Sequence, residues 1–298
     1  MRVEHNHELK IYTTFQIGGV SPIVCFPECE NDLTEALKTY PEAIVLGNCS
    51  DVLISSKGID VPVIITTSMK DYKIEGTKIT AACGLKAPKL ACSAAENGLS
   101  GFEFMIGIPG SIGGMVYMNA SAHGQAISDN LISCRVYDRE DKTLKVLTKE
   151  DMKFAYRSSI ASEKQYIILS AEFDLKKSDI EEIKSLMDRN LEFRKQKQPS
   201  LALPNAGSVF KNPENDSAGR LLEKSGVKSC IIGGAKVWEN HANFIVNIGQ
   251  ATSSDVLRLM KKMYDEVKTR YTIELVPEIK YIGKIDEEEN RIWKEISR

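Results

Sequence analysis

Apolar positions in residues 23–67 fall into short runs broken by polar turns, which predicts a compact unit rich in β-α-β order. Ile23-Val24-Cys25-Phe26 is a run of strand length, and 32–40 has helical spacing that Pro41 stops. A second strand, 43–46, leads straight into Gly47-Asn48-Cys49-Ser50-Asp51; a third, 61–65, carries Pro62, which suits an edge or a strand start. Residues 70–178 then switch to alternation. Strands are predicted at 72–74 and 78–82 around a Glu75-Gly76 turn, and a helix over 86–97 ends at Gly98, a left-handed cap. Further strands fall at 133–137, 143–147 and 166–173. An amphipathic helix over 179–196 leads into a third unit, 199–298, with a helix over 253–270, a strand over 275–282 and a charged, solvated terminal helix over 286–298. The pattern is α+β.

Composition bounds the function classes. The 298 residues are 42% hydrophobic and 27% charged, as in an ordinary globular chain of two or three domains. Lys+Arg of 39 against Asp+Glu of 41 leaves a net charge of −2, with no basic excess to favour nucleic acid or an anionic membrane. The N-terminus lacks a signal-peptide core, and no apolar run approaches the ~20 residues that span a bilayer. Seven dispersed cysteines without a C-x-x-C pair read as reduced thiols, which places the chain in the cytoplasm. Cys25 and Cys29 are spaced like half a metal site, but no partner pair follows and no metal is expected.

Three segments carry candidate chemistry. The loop 47–51 follows a strand and can bind an anion through small residues and free backbone N–H groups, although taken alone a plain turn explains it better. The stretch 107–124 concentrates Gly110, Gly113, Gly114 and Gly124 with Ser111 and Asn119. That suits close backbone approach to phosphates, but it is neither a Rossmann fingerprint nor a Walker loop. The third, 204–213, gathers Ser208, Lys211 and Asn212 in one loop. It lacks the G-x-S-x-G elbow of a serine hydrolase, and loop capping by Ser208 is an even alternative.

In order along the chain, these segments and their neighbours resemble the UDP-N-acetylenolpyruvoylglucosamine reductase family, in its short form. Thr13-Thr14-Phe15-Gln16-Ile17-Gly18-Gly19 is similar to the family's N-terminal element and 46–53 to its first FAD loop. Gly98-Leu99-Ser100-Gly101-Phe102-Glu103-Phe104 through Gly124 is similar to its glycine-rich core, and Phe154-Ala155-Tyr156-Arg157-Ser158-Ser159 to its F-x-YR-x-S segment. Ala206-Gly207-Ser208-Val209-Phe210-Lys211-Asn212-Pro213, 218–223, His241-Ala242-Asn243-Phe244 and 277–283 complete the resemblance.

The resemblance implies a two-part FAD-binding region, subdomains 1–68 and 69–186, followed by a smaller α+β substrate-binding domain, 187–298. It implies FAD, held by Gly47, Asn48, Cys49, Ser50, Asp51, Gly110, Ser111, Gly113, Gly114, Asn119 and Gly124, with NADPH as hydride donor. The substrate would be a nucleotide sugar, UDP-N-acetylglucosamine enolpyruvate, and the protein a monomer. Arg157 and Glu278 would stabilise charge beside the substrate carboxylate, Ser208 would donate a proton, and Tyr156, Lys197 and Asn212 would bind substrate. A bare carboxylate at 278 would repel that charge, so a raised pKa is expected there.

Four positions depart from the family pattern. Cys49 and Asp51 stand where glycine and asparagine are usual, Ser121 where glycine is, and His123 where tyrosine is common. A left-handed backbone at Cys49 would cost on the order of 1 kcal/mol, and weaker FAD retention follows as an expectation. A flavin oxidase on the same scaffold, or a nucleotide-binding protein without catalysis, would not require Arg157, Ser208 and Glu278 together.

Overall fold

The alternation at 72–82 forms the hairpin of strands Tyr72–Glu75 and Lys78–Ala82, which lies at one side of a five-stranded antiparallel sheet in a computed structural model of the protein. The structure describes residues 1–283 and 286–297. The sheet order is Thr143–Thr148, Leu131–Asp138, Tyr166–Asp174, Lys78–Ala82, Tyr72–Glu75. The helix Ala87–Glu96 is apolar on one face, with Leu90, Ala91, Ala94 and Ala95 buried, and it ends before Gly98, whose φ of 65° makes the predicted left-handed cap. A second sheet has the order Arg2–Glu8, Val20–Phe26, Val63–Ile65, Ile44–Leu46. Its last three strands are parallel, with Val63 opposite both Val24 and Ile44. The strand after Pro62 is therefore central, and the proline sits at its start, where no ladder N–H is needed.

By contact density the chain divides into two units. One comprises Met1–Glu4, Ile23–Asn48 and Pro62–Arg194, and the other His5–Pro22, Cys49–Val61 and Lys195–Arg298. The core of the first includes Phe102 and Phe173, packed edge to face with ring centroids 5.1 Å apart. In the second, the helix Ser253–Tyr271 buries Val256, Leu259, Met260, Met263 and Val267, the predicted inward face. Its start is fixed by a capping box: Asp255 N donates to Thr252 Oγ1, and Thr252 N donates to the Asp255 carboxylate.

Two expectations change. The strand predicted over 275–282 is regular only at Lys280–Ile282, because Pro277 has no N–H to continue the ladder and makes one isolated bridge, to Phe210. The terminal helix Glu287–Ile296 is not wholly solvated, since Glu289, Ile292 and Ile296 are buried; Arg298, in the same predicted helix, lies outside the described residues. A four-stranded antiparallel sheet, Asn205–Ser208, Phe244–Asn247, Ala235–Val237, Ile231–Ile232, adds strands that the sequence pattern does not announce.

Phe173→Ala should remove the edge-to-face pair and leave a cavity, lowering stability by about 3–5 kcal/mol in equilibrium urea unfolding. A loss under about 1 kcal/mol would show that the sheet collapses onto the gap.

Candidate functional site

In the first unit the loop after Ile44–Leu46 is drawn to the glycine-rich stretch by Asn48, whose Nδ2 donates to Pro109 O at 2.5 Å. Gly47 must lack a side chain, because a Cβ there would fall 2.1 Å from Ser111 Oγ. Ser111 is 2% exposed, and its hydroxyl has no hydrogen-bond partner in the protein. Asn119 holds a left-handed backbone (φ 45°) and donates from Nδ2 to Ala155 O at 3.1 Å, while its buried Oδ1 also lacks a protein partner. Buried polar atoms without partners cost about 1–3 kcal/mol each, so two of them along one segment point to a ligand that completes them.

The predicted glycines do not share one task. Gly113 lets the helix Ile112–Tyr117 approach Cys83, whose Cβ would lie 2.8 Å from an added Cβ, and Gly113 N donates to Cys83 O. Gly110 accepts from Ala87 N through its carbonyl, Gly114 is exposed, and Gly124 turns the hairpin Ser121–Ala122 to Gln125–Ala126 with φ 78°.

Tyr156 and Arg157 form the tip of a tight loop closed by reciprocal hydrogen bonds between Ala155 and Ser158. Arg157 has φ 53°; its Nη1 donates to Ser121 Oγ at 2.7 Å, and its guanidinium carbon lies 5.0 Å from the Tyr156 ring centroid. The guanidinium is thus held in place while the Tyr156 ring stays 51% exposed.

In the second unit, Ser208 ends the strand Asn205–Ser208 opposite Phe244, after Gly207 at φ 75°. Asn243 fixes the next turn: Nδ2 donates to Phe210 O, and Oδ1 accepts from Phe210 N. Glu278 N donates to Val209 O at 2.8 Å, which sets the Glu278 backbone opposite Val209, the residue after Ser208. Cys49 and Asp51 join the same frame. Thr14 N donates to Cys49 O while Thr14 Oγ1 donates to Asn205 O, and Lys280 N donates to Asp51 O; a Cβ on Gly207 would lie 3.9 Å from Ser50 O. Cys49 has φ 48°, the strained backbone expected there, and burial pushes its thiol up to about 12. Lys197 is the exposed last residue of the helix Ile180–Lys197; burial, chiefly, holds the nearby His241 imidazole below its ordinary pKa, with Lys197 adding to the effect. Asn212 Oδ1 caps Ala218 N at 3.0 Å, a structural task that sequence spacing does not show.

Three further residues belong to this architecture. Ser121 and Asn243 are described above; the third, Arg194, donates from Nε to Gly107 O at 2.7 Å, half-buried along the glycine-rich stretch. Asn243 is visible in the His-Ala-Asn-Phe motif, but nothing in a sequence pattern marks Arg194 as the buried cation among its helix neighbours.

The arrangement fits FAD: the Ser111 hydroxyl can donate to a phosphate oxygen, and Asn119 Oδ1 can accept from a ribose or ribityl hydroxyl. Among the described residues no group of three or more His, Cys, Asp or Glu is placed to hold a metal, and no helix is long and apolar enough to cross a membrane. Cys25 is buried in its strand, whereas Cys29 is exposed at the start of the helix Glu30–Thr39.

A family model of the FAD binding domain matches residues 21–147, and one of the UDP-N-acetylenolpyruvoylglucosamine reductase C-terminal domain matches residues 198–282. The chain is 42% identical over 288 residues to the UDP-N-acetylenolpyruvoylglucosamine reductase of Caldicellulosiruptor bescii, covering 94% of this chain and 91% of the relative. It is 40% identical over 283 residues to that of Caldanaerobacter subterraneus, covering 94% and 93%. The crystal structure of the Thermus caldophilus reductase superposes with a TM-score of 0.83 at 34% identity, over 94% of this chain and 99% of that one.

Ser111→Ala removes an unpartnered buried hydroxyl, so the FAD-free protein should unfold at an equal or higher urea concentration. FAD affinity should fall about tenfold, the worth of one hydrogen bond of ~1.4 kcal/mol, in a fluorescence titration. Unchanged affinity would remove Ser111 from the cofactor site.

Proposed function

The chain belongs to the UDP-N-acetylenolpyruvoylglucosamine reductase family, and from that premise we propose that Arg157, Ser208 and Glu278 carry its chemistry. The enzyme reduces UDP-N-acetylglucosamine enolpyruvate to UDP-N-acetylmuramate with NADPH, an FAD-dependent step in peptidoglycan precursor synthesis. Bound FAD supplies the flavin ring that takes hydride from NADPH and delivers it to the terminal enolpyruvyl carbon.

The residues 47–51, Gly110, Ser111, Gly113, Gly114, Asn119 and Gly124 hold the cofactor, with the unpartnered Ser111 and Asn119 atoms as the main support. The reduction leaves negative charge on the carbon beside the substrate carboxylate. Arg157 grips that carboxylate; its guanidinium is a fixed, permanently charged fork, and Ser121 and the Tyr156 ring already limit its motion. Ser208 Oγ gives its proton to that carbon. A hydroxyl is a weak acid near neutrality, but the carbanion-like centre is a strong base, so the transfer runs downhill. Glu278 keeps its own proton or donates through a hydrogen bond, since an ionised carboxylate would oppose the charge being stabilised. Tyr156, Lys197 and Asn212 bind the substrate, Lys197 toward its diphosphate.

The observation that carries this assignment is the Glu278 N to Val209 O bond, which sets Glu278 opposite Val209, the residue after Ser208. The division of labour follows 1–68 and 69–186 for the cofactor and 187–298 for the substrate, in line with the two matched families. The enzyme works as a cytoplasmic monomer. Its seven cysteines are all unpaired, which suits a reducing compartment, and a sedimentation profile at one-chain mass would support the monomer where a dimer peak would refute it.

Ser208→Ala should yield a yellow, flavin-loaded protein that NADPH still reduces. Reoxidation by the enolpyruvyl substrate should fall by at least about 100-fold, as when a positioned general acid is lost. Turnover at the wild-type rate would show that the proton comes from elsewhere.

A further inference from the structure

We propose that Glu289, on the terminal helix Glu287–Ile296, is a positioning residue that fixes Glu278 relative to Ser208 and the loop 49–51. The proposal rests on the catalytic assignment of Glu278 made above.

Glu289 is 1% exposed, yet no lysine or arginine pairs with it among the described residues. Instead four hydroxyls donate to its carboxylate: Ser253 at 2.6 Å and Ser254 at 2.5 Å to Oε1, and Ser55 at 2.9 Å and Tyr281 at 2.5 Å to Oε2. Burial pushes the carboxyl up, but these donors outweigh it and hold it below the ordinary value; the Tyr281 phenol, raised by burial and by this bond, stays protonated as a donor. A buried carboxylate saturated by neutral donors fixes each donor in one orientation, because every one of them must point inward.

The donors come from the segments that frame Glu278. Ser55 follows the strand Val52–Ile54, which continues directly from the loop 49–51, and Tyr281 lies in Lys280–Ile282, three residues after Glu278. Among the described residues these two strands pair only with each other, in parallel, with Tyr281 opposite Leu53. A two-stranded parallel ladder is weak by itself. The Glu289 carboxylate bonds to both strands from the side, and the Ser253 and Ser254 hydroxyls tie it to the start of Ser253–Tyr271. On the other flank, Lys211 N donates to Val276 O and Glu278 N to Val209 O. Glu278 is therefore suspended between two anchors, one next to Ser208 and one built on Glu289.

The test uses the flavin-loaded protein and follows both half-reactions anaerobically, each normalised to bound flavin. In Glu289→Gln and Tyr281→Phe, reduction by NADPH should keep the wild-type rate. Reoxidation by UDP-N-acetylglucosamine enolpyruvate at saturation should slow on the order of 10- to 100-fold, as displacement of a catalytic group by about 1 Å does, with KM nearly unchanged. Ile296→Ala, which loosens the same helix without touching the carboxylate, should lower the melting temperature yet keep the reoxidation rate. If Glu289→Gln fails to fold, Tyr281→Phe alone decides. Wild-type reoxidation in the Glu289 or Tyr281 variants, equal slowing of both half-reactions, or equal slowing in Ile296→Ala would overturn the proposal. Glu278→Gln is measured alongside: wild-type reoxidation in that variant would instead refute the role of Glu278 itself.

Discussion

The hydrogen bond from Glu278 N to Val209 O is a backbone contact, indifferent to side-chain identity, and it ties the segment that carries Ser208 to the segment that carries Glu278. It falls where Pro277 has broken the strand, and it sets which residue stands opposite Val209, next in the chain to Ser208. A slip of one residue would turn Glu278 to the opposite face. Register here is guarded on both flanks, by the Lys211 to Val276 bond before it and by the parallel pair 52–54 with 280–282 after it. The loop 49–51 shares the frame through Asp51 O and Lys280 N.

The first unit works by a different constraint. Its glycine-rich stretch is crowded by backbone and small side chains, as the 2.1 Å approach of a hypothetical Gly47 Cβ to Ser111 shows, and yet it leaves polar atoms of Ser111 and Asn119 without partners. Two unpartnered buried polar atoms lower the stability of the protein as it stands and leave their hydrogen-bonding capacity open.

The helices and long strands were legible because their apolar periodicity is strong. The hairpin at 72–82, the cap at Gly98 and the inward face of Ser253–Tyr271 all follow from spacing alone. The short sheet built on Asn205–Ser208 was not legible, since strands of two to four residues containing asparagine and glycine carry no period. Nor was the buried side of the terminal helix: Glu289 reads as one charge in a charged tail until its hydroxyl partners, 8 to 234 residues distant in sequence, are in place. The motifs singled out Ser208, Arg157 and Glu278 as candidates, but spacing could not show that Gly113 lets a helix pack against Cys83 or that Asn212 caps a helix.

The departures from the family pattern share a physical logic. Cys49 accepts a left-handed backbone at a cost of about 1 kcal/mol, and the contacts that hold it there include the bond from Thr14 N to its carbonyl, which any residue could accept. Asp51 likewise contributes its carbonyl to Lys280 N, so the frame of the loop survives a change of side chain. Ser121 is different, because its side chain takes part: the hydroxyl accepts from Arg157, a contact that glycine could not make. At Ser121 the substitution adds a hydrogen bond that limits the motion of the Arg157 guanidinium.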